Sequence, residues 1–261
     1  MRVESLHAPA EFRRLEELQL QIWGFPEREV VPYHQFLAAA EAGGVVLGAF
    51  DGDLMVGFSY AFPAWQEGRL LLWSHMTGVL PAYQGRGLGP LLKWEQRRRA
   101  LALGYTLIRW TFDPLQAHNA YFNLHKLGAL ATRYLPECYG EMGDRVNRGI
   151  PSDRLLAEWY LDSPRVRARC GEGEAGEPTP WPGVRRVKVP ARIGDLKESD
   201  PEGARRERLR VRGELVELLG AGYVACDFSD GAYYLVPAAM REIIANPAPV
   251  AAAHREGCEG A

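Results

Sequence analysis

The stretch Gln84-Gly85-Arg86-Gly87-Leu88-Gly89 constrains this chain more than any other. An apolar run with strand character, residues 70–79, leads into it. A segment of helical periodicity leaves it, with Leu88, Leu91, Leu92, Glu95, Arg98, Leu101 and Leu103 falling on two distinct faces. A strand, a glycine-rich turn and a helix start together make a ready anion site. Glycines remove the Cβ atoms that would hold a phosphate off the backbone, and the first-turn N–H groups of a helix have no intrahelical partners. Pro90 suits the early turn of such a helix, where its missing N–H costs little.

Composition narrows the class. The 261 residues allow one large domain, or a domain of about 150 residues with a smaller unit behind it. A 47% hydrophobic and 25% charged composition is that of a soluble globular chain, and a net charge of −2 gives no ground for a nucleic-acid or membrane partner. No apolar run approaches membrane-spanning length and the N-terminus lacks a signal-peptide core, so a cytoplasmic location is expected. Cys138, Cys170, Cys226 and Cys258 are widely spaced and form no CxxC pair, so neither a metal site nor a disulfide framework is expected. Lys93, Lys126, Lys188 and Lys197 are the only lysines in a chain otherwise rich in arginine.

Taken in order, the pattern predicts a strand at 3–6, a helix at 9–23 and a shorter helix at 32–42. Strands follow at 45–50 and 54–62 around Asp51-Gly52-Asp53, then a polar break at 65–69 and the strand at 70–79. Beyond the motif helix come a buried strand at 106–112, a helix at 117–127 stopped by Gly128, and strands at 129–134 and 155–161. Residues 1–161 thus form one domain. Residues 162–182, nearly devoid of apolar side chains around Gly171–Pro178, read as a linker or flexible loop. Residues 183–240 read as a small α/β unit packed on the first domain, with a strand at 184–189, a helix at 201–219 and a hairpin around Ser229-Asp230-Gly231; residues 241–261 are a tail.

These residues resemble the GNAT acyltransferase superfamily. Gln84, Gly87 and Gly89 match its [QR]-x-x-G-x-[GA] turn, Thr77-Gly78-Val79-Leu80-Pro81 looks like its strand end, and the element order is the family's. Phe112-Asp113-Pro114-Leu115 and the run from Asn119 to Gly128 look like a subgroup with an extra C-terminal unit. The implied fold class is α/β (α+β): a mixed, mainly antiparallel central sheet flanked by helices, with a small α/β C-terminal extension. The implied co-substrate is acetyl-CoA or another acyl-CoA, with no metal. Its pyrophosphate would lie on the N–H groups of Gln84, Gly85, Arg86, Gly87, Leu88 and Gly89. Its pantetheine arm would run beside Leu80, Val79 and Gly78, and the Val79 N–H would receive the thioester oxygen. Arg86 is a phosphate contact or a solvated side chain, and Asn119 a pantetheine contact or a helix cap.

Transfer to an amine needs a base for the ammonium and a proton for the leaving thiolate. Simple strand parity puts Trp73, His75 and Thr77 on one face, which makes His75 the best-placed base; the alternative is a structural histidine. Relatives carry an acidic tyrosine four residues before the helix-ending glycine, where this chain has Leu124. That leaves Tyr121, or the neighbouring Asn123, as the group to reach the sulfur. In the family the acceptor enters over the first two helices, so Trp23, Phe25, Tyr33, His34 and Tyr139 are candidate lining groups. Arg109, Arg145 and Arg154 are candidate partners for a carboxylate. The resulting expectation is an acyl-CoA-dependent N-acyltransferase that moves an acetyl or larger acyl group to a small-molecule amine, an amino acid among them. The alternative is a coenzyme A-binding sensor or scaffold without turnover. A dinucleotide-binding reading, with Asp113 as the ribose acid, fits the GxGxG spacing and the meander poorly. The Arg205–Arg210 run alternates with Glu207 as a solvated, ion-paired face does, and the C-terminal unit either covers the acceptor side or supplies a homodimer contact.

Overall fold

The computed structural model describes residues 1–140, 151–173 and 183–240. One ten-stranded sheet organises all of them. β1 (Arg2–Ser5), β2 (Val45–Asp51), β3 (Leu54–Gln66) and β4 (Arg69–Val79) pair antiparallel in succession. β5 (Leu107–Phe112) joins parallel to β4, and β7 (Arg154–Tyr160) inserts between β5 and β6 (Leu130–Leu135). The polar break expected at 65–69 is a tight two-residue turn instead. Glu67 and Gly68 both take left-handed φ, 53° and 76°, which matches the twist of a hairpin and lets β3 and β4 run on to Gln66 and Arg69.

Helices cover both faces. Along β2, Val45, Leu47 and Ala49 belong to one apolar cluster, and Val46 and Phe50 to the other, as a period of two requires. The second face carries α1 (Pro9–Trp23) and α2 (Tyr33–Glu41), which bury Phe12, Leu15, Leu18 and Phe36. The first face carries α3 (Leu88–Ala102), with Leu88, Leu92 and Ala100 buried. After β5 the chain makes one short α-turn, α4 (Ala117–Ala120), and then a π-helical turn, Tyr121–Lys126, where a single continuous helix was expected. The wider turn is closed by Leu127 N–H donating to the Phe122 carbonyl at 3.0 Å.

The segment expected as a linker contains a helix, α5 (Pro164–Arg169), capped by Ser163. Two of its arginines work inward. Arg165 donates to the carbonyls of Gly128 (3.1 Å) and Leu124 (3.0 Å) and to that of Cys226, while Arg169 Nε donates to His125 at 2.6 Å. A Cβ on Gly128 would meet Arg169 Cδ at 2.9 Å, so the helix-ending glycine is required by this close approach as well as by its φ of 76°.

The C-terminal residues extend the same sheet. β9 (Tyr223–Ser229) pairs with β6 at Ala131↔Ala225, and β10 (Ala232–Pro237) and β8 (Arg185–Lys188) follow outward. A short helix absent from the sequence reading, α6 (Ile193–Ser199), precedes α7 (Pro201–Gly220). Ala204, Val211 and Leu215 of α7 join the α3-side cluster. Polar locks fix α7 there. Arg208, 1% exposed, meets Asp113 at 2.7 Å, and Arg212 grips Asp153 with two bonds of 2.9 and 2.6 Å. Asp113 is therefore a structural anion committed to α7.

Arg109 ties three elements together on the α1 side. It bonds Glu158 of β7 at 2.5 Å, Glu67 at 2.7 Å and Gln66 at 3.1 Å, with Arg109 and Glu158 both about 2% exposed. The guanidinium is occupied by the protein's own carboxylates, which corrects its expected role as a substrate carboxylate partner. Replacing Arg109 with alanine breaks its buried ion pair with Glu158, so a loss of about 3–5 kcal/mol is expected in chemical denaturation.

Candidate active site at a fork between two strands

β4 and β5 pair at only two positions, Leu72↔Ile108 and Trp73↔Arg109. Past them the strands diverge, leaving a fork whose first unpaired residues are Ser74 and Trp110. One arm of the fork carries exposed main-chain groups. Leu80 N–H donates back to Val56 of β3 at 2.9 Å, so by strand alternation the N–H and C=O of Val79 point the other way, into the fork. The Val79 carbonyl is taken up by Gln84 Nε2 at 3.1 Å, while its N–H faces the opening.

The motif lies directly beyond. Pro81–Tyr83 makes a single 3₁₀ turn, then Gly85 and Gly87 take φ of 75° and 80°. Nothing lies within 4 Å of a Cβ built on Gly85, Gly87 or Gly89, so the turn is an open cradle. Gly87 caps α3 with no side-chain acceptor on the first-turn N–H groups, and no acidic residue sits in that turn. A 15-residue helix thus presents its positive end uncapped beside the fork. Arg86 lies over the Tyr83 ring at 4.8 Å, and Leu88 is buried as the anchor of the helix start.

A β-bulge corrects the strand parity. Tyr60 pairs with Met76 and Ala61 with Ser74, so His75 is the extra residue. Thr77 and Ser74 face α3, whereas His75 and Met76 face the α1/α2 side. The His75 ring lies edge-on to Tyr60 at 5.9 Å and tilted to Phe62 at 6.0 Å. This aromatic wall desolvates it and holds its pKa below the ordinary imidazole value, although the residue keeps an edge open to solvent. Burial likewise pushes the Tyr60 phenol up.

Trp23 stacks on Phe25 at 5.4 Å and meets Phe58 edge-on at 5.8 Å. A Cβ at Gly78 would stand 2.7 Å from its Cη2 atom, so the indole abuts β4 one residue from Val79. Tyr33 is less central: Arg13 covers its ring at 4.5 Å, His34 meets it edge-on at 5.7 Å, and its N–H goes to Glu16. Asn119 is exposed within α4, and Gln116 holds the cap position, which removes the cap alternative for Asn119. Tyr121 stacks on His125 at 4.7 Å, and His125 Nδ1 meets Asp227 of β9 at 3.0 Å. Leu124, at the position of the tyrosine in relatives, is fully buried. Tyr139 bonds Thr111 at 2.8 Å and Arg154 lies over its ring, while Arg145 is outside the described residues.

The sequence reading missed a buried polar chain under the fork. Lys93 Nζ donates to Ser74 Oγ (3.1 Å) and Gln96 Oε1 (2.7 Å); Gln96 Nε2 donates to Ser59 Oγ (2.7 Å), which meets Thr77 Oγ1 at 3.0 Å. The amine also stands 4.1 Å from the Trp110 ring centroid and 5.2 Å from that of Trp159. The only sequence signal was a lysine and a glutamine, three apart, on the same face as Leu92 and Ala100. Burial lowers the Lys93 pKa to about 7. The unfolded chain keeps that proton to about pH 10 and the folded one only below about 7, so the unfolded state binds more protons in between and stability rises with pH. Lys93→Met removes this contribution. From pH 7 to pH 9 wild type should gain on the order of 2 kcal/mol relative to the variant in urea titrations; a constant difference would contradict a desolvated amine.

Residues 10–128 match the family model described as acetyltransferase (GNAT) family. With the sheet, fork and glycine turn in place, residues 10–128 make up a GNAT acetyltransferase domain. No curated protein sequence matches it. Among solved structures, yncA of Salmonella typhimurium, presented as a candidate acetyltransferase with its cofactor acetyl-CoA, is 19% identical with a TM-score of 0.50, over 69% of this chain and 98% of that one. A candidate GNAT acetyltransferase from Desulfovibrio desulfuricans is 20% identical (TM-score 0.46, 61% and 98% covered). Arabidopsis thaliana Naa50 in complex with a bisubstrate analogue is 18% identical (0.46, 60% and 96%). At these identities the likeness is one of fold. Among the described residues, no group of three His, Cys, Asp or Glu could hold a metal ion, and no helix is long and apolar enough to cross a membrane.

Proposed function

We propose that the chain is an acyl-CoA-dependent N-acyltransferase that moves an acetyl or larger acyl group to a small-molecule amine by direct attack. The observation that carries this reading is the conjunction of the β4/β5 fork with the open Gly85–Gly89 cradle and the uncapped start of α3. The cradle N–H groups and helix dipole suit a pyrophosphate; the fork accepts an extended pantetheine arm as an added strand; the fork-facing N–H of Val79 suits an oxyanion. Gln84, by binding the Val79 carbonyl, holds the adjoining Val79–Leu80 peptide as well as shaping the turn. Arg86 and Asn119, both exposed, remain available to the cofactor.

His75 is the proposed base. A depressed pKa leaves its imidazole neutral at pH 7 and ready to take a proton from the attacking ammonium. Trp23 and Phe62, both partly buried, are the proposed acceptor lining, with free amino acids the first amine class to assay. Assays of thiol release from acyl-CoA across amines test the reading. Coenzyme A bound tightly with no release from any pair would favour the sensor alternative, which the buried Leu124 motivates.

Two measurements bear on the parts. Gly89→Glu puts an anion into open space at the helix start, where it complements the dipole and leaves the melting temperature unchanged or slightly raised. Calorimetry should nevertheless show coenzyme A affinity reduced at least about tenfold, since the carboxylate competes for the same N–H groups. In the second, kcat/KM should rise with pH through an apparent pKa below the usual histidine value. His75→Ala should lower kcat/KM by about 10²–10⁴ and remove that rise; an unaltered profile would exclude His75 as base.

A further inference from the structure

Lys93 has no role in the scheme above, and its placement calls for one. Its Nζ bonds Ser74, the first β4 residue past the last β4–β5 pair, and lies over Trp110, the first β5 residue past it. The amine therefore stands under the vertex of the fork on the α3 side, 3% exposed. The Leu124 side chain belongs to the same α3-side cluster, as do Trp110 and Trp159, and Trp159 Nε1 donates to the Leu127 carbonyl at the end of the π-helical turn.

The charges around it are committed elsewhere. On α3, Arg97 binds Glu172, and Glu95 binds Arg98 and Arg99. On β5 and β7, Arg109 and Glu158 adjoin the two tryptophans in sequence but alternate to the opposite face, where they bind each other. On β4, His75 also lies on the opposite face, and β3 offers Ser59. The partners of Lys93 on these elements are a hydroxyl, an amide and two indole faces. Such surroundings hold an amine in place without fixing its proton, since none supplies a full negative charge.

We propose that Lys93 is the acid that returns a proton to the coenzyme A sulfur as the thioester breaks. This rests on the acyltransferase reading. The acceptor nitrogen forms a bond to the thioester carbonyl carbon, and the C–S bonding pair leaves on sulfur. A proton passes from Lys93 Nζ to that sulfur, giving the free thiol and a neutral amine. The amide nitrogen sheds its extra proton through His75 to water, and Lys93 takes a proton from water once the thiol has left. A pKa of about 7 lets the group exist in both forms at working pH. The role falls to α3 here because position 124 offers only a buried leucine.

The test uses the full chain with the acyl-CoA and amine pair that gives the highest thiol release. Lys93→Met keeps the length and apolar stem of the side chain. It should lower kcat about 100-fold or more, shift the KM for acyl-CoA less than about threefold, and leave coenzyme A affinity unchanged. The wild-type kcat should fall above about pH 7 as the acid is lost, and that fall should be absent in Lys93→Met and in Lys93→Arg, whose charge does not titrate there. Full kcat with an unchanged alkaline limb in Lys93→Met overturns the proposal alone. No thiol release by wild type from any pair overturns the acyltransferase reading and this proposal with it. Should the methionine variant fail to fold, ¹³Cε-lysine spectra of wild type decide. With four lysines in the chain, one resonance should titrate near neutrality and shift on adding coenzyme A; four resonances titrating near pH 10 and indifferent to coenzyme A would overturn it.

Discussion

The structure turns on the place where β4 and β5 stop pairing. Two residue pairs hold these parallel strands together. Side chains reinforce the vertex from both faces. On the α1 side Arg109 joins β5 to Glu158 of β7 and to Glu67 and Gln66 of the β3–β4 hairpin. On the α3 side Lys93 joins β4, through Ser74, to the tryptophans of β5 and β7. A sheet pinned at this point can open beyond it without unzipping. The opening exposes unpaired main-chain groups, and these are what an extended ligand needs.

The C-terminal residues contribute to the same rigidity from a distance. Sheet pairing between β6 and β9 is slight, a single register pair. The buried pair Arg208–Asp113 and the two-bond grip of Arg212 on Asp153 hold α7 against the first 161 residues. Asp113 directly follows β5, so α7 fixes the end of the strand that forms one arm of the fork. Arg165 and Arg169 do comparable work for the π-helical turn, through carbonyls that the irregular turn leaves unbonded. Buried arginines and a shared apolar cluster together weld the extension to the domain.

Much of the fold was legible in the chain itself. Alternation in β2 and β3, the Asp51-Gly52-Asp53 turn, the helical period of 9–23 and the glycine-rich turn each carry their own local signal, and the elements lie within a residue or two of expectation except at the β3–β4 turn, the π-helical turn and the helices α5 and α6. The failures have separate causes. The helix Pro164–Arg169 reads as linker because its burial runs through guanidinium groups, which composition counts as polar. The faces of β4 were misassigned because one extra residue at His75 shifts every later side chain to the other face, and a bulge has no signature in a run such as Trp73-Ser74-His75-Met76.

Sequence by itself determined the open glycine turn, since glycines at 85 and 87 are what left-handed turns require, and a helix start supplies its N–H groups whatever surrounds it. It carried the resemblance to the GNAT superfamily for the same reason: the turn, the strand before it and the helix after it are contiguous. Tertiary structure alone decided which titratable groups face the fork. His75 reaches the aromatic wall through a bulge, Arg109 is absorbed by Glu158 half a hundred residues away, and Lys93 loses its solvent to two tryptophans from different strands. Charge and protonation depend on desolvation and on partners remote in the chain, and these exist only once the sheet has closed over them.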